Sequence, residues 1–542
     1  MGGKGRGMNS MIYNPLEEYE QKFKATHLEL TKKKFSELVS ASGVDAEENR
    51  RTLNEHQKLR DRYSKLRTKL NWMRFFRVIL IITLIMVPLV ILKITPKIRS
   101  MRAELQSVDS SADELLMKAK EQMAPLCALF TDRQSLSLIE ATLPSLSFAD
   151  IFSEDMASNM RINFGFEESS DPDRSAISLL SGEYNGNPFL FEEKLIHTVG
   201  SEIYHGYKVI SWTETFRGSD GKLRTRRRSQ TLHASVTKPK PYFERRISLN
   251  YCAAGGDDLS FTRDASHLHR LDDKEAERYV KKGEKKLDRM TEDAIKRNDD
   301  FVSMSNSEFE VLFDALDRTN EVQYRTLFTP LAQTNMVDLI RSKAGYGDDF
   351  TFIKKNRVNR IITDHSRSRE LRLTADGYVS ASYDEIESKF INKNAEFFKA
   401  VYFDFAPLLA IPIYQESPVH SLEPIPDPVK NYSYTEYEVL ANMMHEKYTV
   451  HPLSKTRAIL KTGYLSTKDG VDEIEISAFS YDIFRRVDYV SVFGGDGRFH
   501  AVPVWWDEYS PLESKGRFFV ARIDAAKKES FIAQSGKLCI YN

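Results

Sequence analysis

The chain has 542 residues, 41% hydrophobic and 29% charged, which excludes wholesale disorder and is long enough for several domains. Seventy-eight Lys and Arg balance 78 Asp and Glu, so no global field favours nucleic acid and no nucleic-acid partner is expected. Cys127, Cys252 and Cys539 are few and far apart, which excludes a disulfide framework and the paired spacing of a zinc site.

Residues 1–74 read as a helical hairpin or short coiled coil. Leu16, Tyr19, Phe23, Leu28, Phe35 and Leu38 recur near helical spacing, and Gly43 is placed to end that helix in a left-handed conformation. Asp45 followed by Glu48 reads as a capping box opening a second helix. Along it Leu59, Tyr63, Leu66 and Leu70 form a seam, which serves either self-association or a protein partner, or burial of the two helices against each other.

The run from Val78 to Leu92 carries no charge. Extended to 75–94 it has the length of a bilayer span, with Arg77 and Lys93 at its boundaries and Trp72, Phe75 and Phe76 as an interfacial belt. A single transmembrane helix is therefore expected, with the lipid bilayer as partner. Arg60, Arg62, Lys65, Arg67, Lys69, Arg74 and Arg77 precede it, while Lys93, Lys97, Arg99 and Arg102 follow. That excess predicts a cytoplasmic N-terminus and an outward-facing C-terminal region at the cell membrane.

Residues 95–181 read as a helical stalk and connector. Residues 182–415 read as an α+β domain, with strands at 189–198, 207–216, 222–236 and 242–251, then helices, then strands near 350–364 and 371–382 and a helix at 385–401. The apolar run 405–414 contains Pro407 and Pro412 and reads as a buried strand or loop. Residues 416–431 form a Pro-rich linker, and 432–542 a smaller α+β domain with turns at Asp469-Gly470 and Asp496-Gly497. Helices in runs and strands in runs predict an α+β fold with antiparallel sheets.

Two constellations carry chemistry. On a strand, Lys222, Arg224, Arg226 and Arg228 share one face. Such a stripe suits anionic lipid or a phosphate-bearing wall polymer, against the competing reading of a solvated edge without interleaved aromatics. His267, His269 and Asp272 offer nitrogen and oxygen ligands for a metal, but no third histidine or cysteine lies near them. Gly345-Tyr346-Gly347-Asp348 lacks the third glycine of a dinucleotide loop, 314–321 lacks calcium-loop spacing, and no nucleophile elbow occurs. No catalytic residue is assigned and no cofactor is expected.

Several blocks stand out together: Gly182-Glu183-Tyr184 through Phe191, Tyr207 through Trp212, Ser229 through Pro239, and Leu327-Phe328-Thr329-Pro330-Leu331-Ala332-Gln333. On these the chain resembles a group of uncharacterised membrane proteins of low-GC Gram-positive bacteria and their wall-less relatives. The resemblance implies bacterial origin and membrane attachment and lends no activity or site residue. The expected function is a binding or scaffold protein at the bacterial cell envelope. The rivals are a membrane-tethered enzyme acting on an envelope component, and the same domain facing the cytosol.

Overall fold

The computed structural model describes residues 11–82, 93–168, 170–266, 268–297, 301, 303–417 and 432–521. They are α+β, and they divide into two compact units. One is helical and draws on 14–146 and 372–403; the other holds both sheets and draws on the rest.

The helical unit opens with α1 (Pro15–Glu18), a π-helical turn and α2 (Lys24–Ser42). Gly43 ends α2 at φ 66°, as its position in the sequence requires. Asp45 Oδ1 then accepts the Glu47 and Glu48 amides at 2.9 and 3.1 Å and starts α3 (Ala46–Ile82). The next helix described is α4 (Thr95–Cys127).

The seam of α3 packs not on α2 but on α4. Asn49 Nδ2 donates to the Ala119 carbonyl at 3.3 Å. Arg60 pairs with Asp109 and Asp113 at 2.8 Å, and Arg62 with Glu104 at 2.6 Å. Leu70 then meets Ile98 and Met101. Partners that rise on one helix as they fall on the other define an antiparallel pair. Ile98, Met101, Val108, Ala112 and Ala119, all buried, recur at three-, four- and seven-residue steps and give α4 the matching stripe. Helix α2 instead buries Phe35 and Leu38 against Met123, Leu126 and the helix Tyr383–Leu409, through Ile386 and Phe390.

This pairing corrects the expected architecture. Residues 83–92 of the expected span lie outside the described residues, and among those described no helix is long and apolar enough to cross a membrane. The stretches 46–82 and 95–127 would have been parted by a hydrocarbon layer about 30 Å thick. They lie side by side instead. The fold class is α+β without a transmembrane helix in the described residues, and the orientation inferred from unequal flanks falls with the span.

In the other unit a seven-stranded antiparallel sheet has the order β1-β2-β3-β4-β7-β6-β5. Its strands are β1 (Leu146–Phe148), β2 (Arg174–Tyr184), β3 (Asn187–Arg217), β4 (Leu223–Cys252), β5 (Ser260–Arg263), β6 (Phe350–Lys355) and β7 (Val358–Thr363). A second sheet has β9 (Val471–Phe493) between β8 (Ile459–Lys468) and β10 (Phe499–Ala521). The four strands expected between 189 and 251 are two, of 31 and 30 residues, paired from Phe189↔Tyr251 to Arg217↔Leu223. Pro239 and Pro241 do not break β4. They are two apart, so both missing amides fall on the same edge, and β4 meets β7 only at 249–252. Two further differences concern prolines and loops. Pro407 lies inside the helix Tyr383–Leu409, so 405–409 is helix, and 371–382 holds a 3-10 turn at Ala375–Tyr378 in place of a strand.

Beyond the sheet the β3–β4 ribbon packs against the β9–β10 ribbon, with Ile210, Leu232 and Val502 buried between them. A Cβ on Gly206 would lie 2.1 Å from the Pro503 carbonyl oxygen, so only glycine permits this approach. Gly206→Val is expected to destabilise the unit by about 1–3 kcal/mol. Hydrogen exchange should show lost amide protection at 500–505, whereas Gly463→Ala, with open space at its Cβ position, should leave it unchanged.

Candidate anion-binding surface

At the far end of the ribbon β3 turns at 218–221 into β4. The Gly218 amide donates to the Lys222 carbonyl at 2.9 Å, Asp220 Oδ1 accepts the Lys222 amide at 3.3 Å, and Gly221 takes φ 76°. Lys222 therefore belongs to the turn. Arg224, Arg226 and Arg228 lie on β4, on one face and exposed.

Register supplies what spacing did not. Phe216 is directly opposite Arg224, Glu214 opposite Arg226 and Trp212 opposite Arg228. Directly opposed residues of an antiparallel pair share a face, so Phe216 stands across from Arg224 and Trp212 across from Arg228, with Glu214 between the two rings on β3. Arg228 pairs with Glu214, and Arg224 with Asp220 at 3.0 Å. The turn between β9 and β10 covers this face only at its inner end, where the Gly495 amide donates to Gln230 Oε1 at 2.7 Å. From 213 to 231 the ribbon is exposed except at the half-buried Gly218.

Two members of the expected metal set, His269 and Asp272, lie among the described residues. His267 lies outside the described residues. The loop before Leu268–Arg270 is held by Asp348, whose Oδ2 accepts the Leu268 amide at 3.0 Å, while His269 Nδ1 accepts the Asp348 amide at 2.9 Å. One of the imidazole's two ligating positions is thus occupied. Asp272 Oδ1 accepts the Glu275 amide at 2.8 Å and caps the helix Asp273–Arg297. Among the described residues no group of three His, Cys, Asp or Glu side chains could hold a metal ion. Arg77 is half-buried on α3, and Lys93 is exposed just before α4.

One buried cluster, missed in the sequence, has catalytic residue types. His365 Nδ1 lies 2.6 Å from Asp349 and Nε2 3.3 Å from Asp404, with the ring stacked on Tyr346 at 3.8 Å. Arg369 also pairs with Asp404, which Thr363 and Ser366 hydrogen-bond at 2.7 and 2.8 Å. Burial opposes charge on His365, but the two carboxylates more than offset it and raise the imidazolium to about 9. Arg369 and His365 hold Asp404 ionised despite its burial. With both ring nitrogens engaged by carboxylates, His365 has no lone pair for a general base. A cleft of about 560 Å³ elsewhere in the unit is lined by Val280, Glu284, 305–308, Pro330, Gln333 and Thr334. It contains no histidine or cysteine.

No family model, no curated protein and no solved structure matches the chain.

The His365 cluster gives stability a defined pH dependence. Its folded pKa of about 9 lies above the ordinary 6.5, so the contribution is complete below pH ~6.5 and is lost as pH rises through about 9. The urea midpoint of the wild type should fall across that window, and His365→Gln should start lower and change less.

Proposed function

We propose that the chain is a binding and scaffold protein of the bacterial cell envelope that grips a phosphate-bearing wall polymer on the exposed end of the β3–β4 ribbon. The observation that carries this reading is the face on which the exposed Arg224, Arg226 and Arg228 stand opposite Phe216, Glu214 and Trp212, covered only at its Trp212 end. Guanidinium groups pair with phosphate oxygens through two parallel N–H donors, and an exposed strand repeats that contact every second residue. The exposed Phe216 adds apolar contact for the glycerol or sugar carbons between phosphates, while Trp212 packs against the Ile210–Leu232–Val502 core. The enzyme reading has less support, because the His365 cluster is enclosed and saturated and His269 and Asp272 serve backbone contacts.

Binding of this kind should be strongly salt-dependent. With poly(glycerol phosphate) as probe, R224Q/R226Q/R228Q should bind about ten-fold or more weakly, and its slope of log affinity against log salt should be shallower by about 2. The fold should survive, since exposed positions change stability by about 0.5 kcal/mol or less. Equal binding by both forms, or tighter binding of single-stranded DNA than of the polymer, would overturn the reading.

A further inference from the structure

The helical unit carries a second cationic surface, whose two halves lie apart in the sequence. Between Asp61 and Glu104 the chain has ten Lys and Arg and no Asp or Glu. Read along the sequence, these cations flank an uncharged run on its two sides. The antiparallel pairing of α3 and α4 brings both flanks to the same end of one helical hairpin.

Ion pairing along the hairpin stops where the acids stop. Glu48 is 3.7 Å from Lys118, Asp109 and Asp113 bind Arg60, and Glu104 binds Arg62. Beyond that last rung, among the described residues, Lys69, Arg74, Lys97, Arg99 and Arg102 are exposed and have no carboxylate partner. The same end of α3 exposes large apolar side chains. Trp72 is 58% exposed, Phe75 58% and Phe76 52%, and the three rings touch one another with centroids 5.6–6.3 Å apart. Ile79 continues that face one turn on. Leu70 and Met73, on the other side of the helix, are committed to α4.

The geometry points to this hairpin end as a docking surface for the anionic phospholipid headgroups of a membrane. Unpaired cations on both legs require a partner rich in negative charge. Tryptophan and phenylalanine beside them settle where an apolar phase meets water, at headgroup depth. A phospholipid surface supplies both. Nucleic acid supplies the charge, but it offers no apolar phase to the exposed Val78 and Ile79 that follow the rings. Because the two legs are paired, the chain before Asp61 and the chain after Glu104 lie on the same side of the bilayer. This attachment therefore differs from a span and is independent of the ribbon.

The full chain, floated with closed vesicles, tests this. With phosphatidylcholine containing about one-third phosphatidylglycerol it should float at about 0.1 M salt. Flotation should drop at least about ten-fold on pure phosphatidylcholine, or at about 1 M salt where the Debye length falls to about 3 Å. K69Q/R74Q/K97Q/R99Q/R102Q and W72S/F75S/F76S should each weaken flotation by about ten-fold while keeping the helical circular dichroism of the wild type. R224Q/R226Q/R228Q on the ribbon should float like the wild type, so failure here is distinct from failure of the polymer reading. Trypsin outside the vesicles should digest the chain on both sides of the hairpin. Equal flotation on neutral and anionic vesicles, indifference to both hairpin variants, or protection of either side from trypsin would overturn the inference.

Discussion

The pairing of α3 with α4 is the constraint on which the helical unit depends. The seam uses small and medium side chains, Ala112 and Ala119 among them, so the helices approach closely without large aromatic anchors. Polar contacts at the rim then set the register. Asn49 is fully buried and donates to the carbonyls of Ala119 and Ala381, while its Oδ1 accepts the Tyr383 amide at 3.0 Å. A shift of α3 along α4 would strand these groups at the cost of desolvated, unpaired polar atoms. The same register stacks Arg60 between two aspartates. One buried asparagine and a few rim charges thus do for this hairpin what they do for a coiled coil, fixing one alignment among several apolar ones.

The sheet unit solves a different problem. A two-stranded ribbon is marginal alone, because each face is open to water. Here each ribbon covers part of the other, with Ile210, Leu232 and Val502 between them. Gly206 lets the backbones approach. Lys208 Nζ donates to the Ala501 carbonyl at 3.2 Å, and Lys238 lies 2.7 Å from Asp488, so charged stems close the edges of that small core. The contact ends at Gln230 and Gly495. Past it the β3–β4 ribbon is held by its own ladder and by the Arg228–Glu214 and Arg224–Asp220 pairs, which is why its outer face is available.

Local signals were legible in the sequence. Gly43, Asp45 and the Asp469-Gly470 turn, at φ 52° and 77°, sit where residue type demanded. The seam of α3 was legible too. Its partner was not, because apolar periodicity says that a helix has a buried face and not which element covers it. An uncharged run between two amphipathic helices reads alike whether the helices are parted or paired. Only long-range contacts such as Arg62–Glu104 separate the cases. Site chemistry was less legible for a related reason. Trp212 and Arg228 are sixteen residues apart and became neighbours through strand register, while the Gly345-Tyr346-Gly347-Asp348 segment lacks the third glycine of a dinucleotide loop. Its use is local packing: Gly347 at φ 65° lies against the His269 ring, and Tyr346 stacks on His365.

Charge is distributed by burial and not by sequence block. Inside the sheet unit, ionised groups come matched: Arg263 with Asp348, Arg318 with Glu310, Lys461 with Glu438, and His365 with Arg369 around Asp349 and Asp404. A lone ion at any of these positions would cost several kcal/mol in desolvation, so these interior cations each consume a carboxylate, whereas the buried Lys354 donates to the Gly255 and Asn356 carbonyls and burial lowers its pKa to about 7. With 78 charges of each sign over the whole chain, an overall balance of zero conceals local surplus. The hairpin end and the ribbon end are two places where cations outnumber acids, and both are exposed. In water that surplus is tolerated because screening makes like-charge repulsion weak beyond about 10 Å. It is also the condition under which an external polyanion gains most, and most of all at the hairpin end, since at the ribbon end the Arg224–Asp220 and Arg228–Glu214 pairs compete with the new contacts.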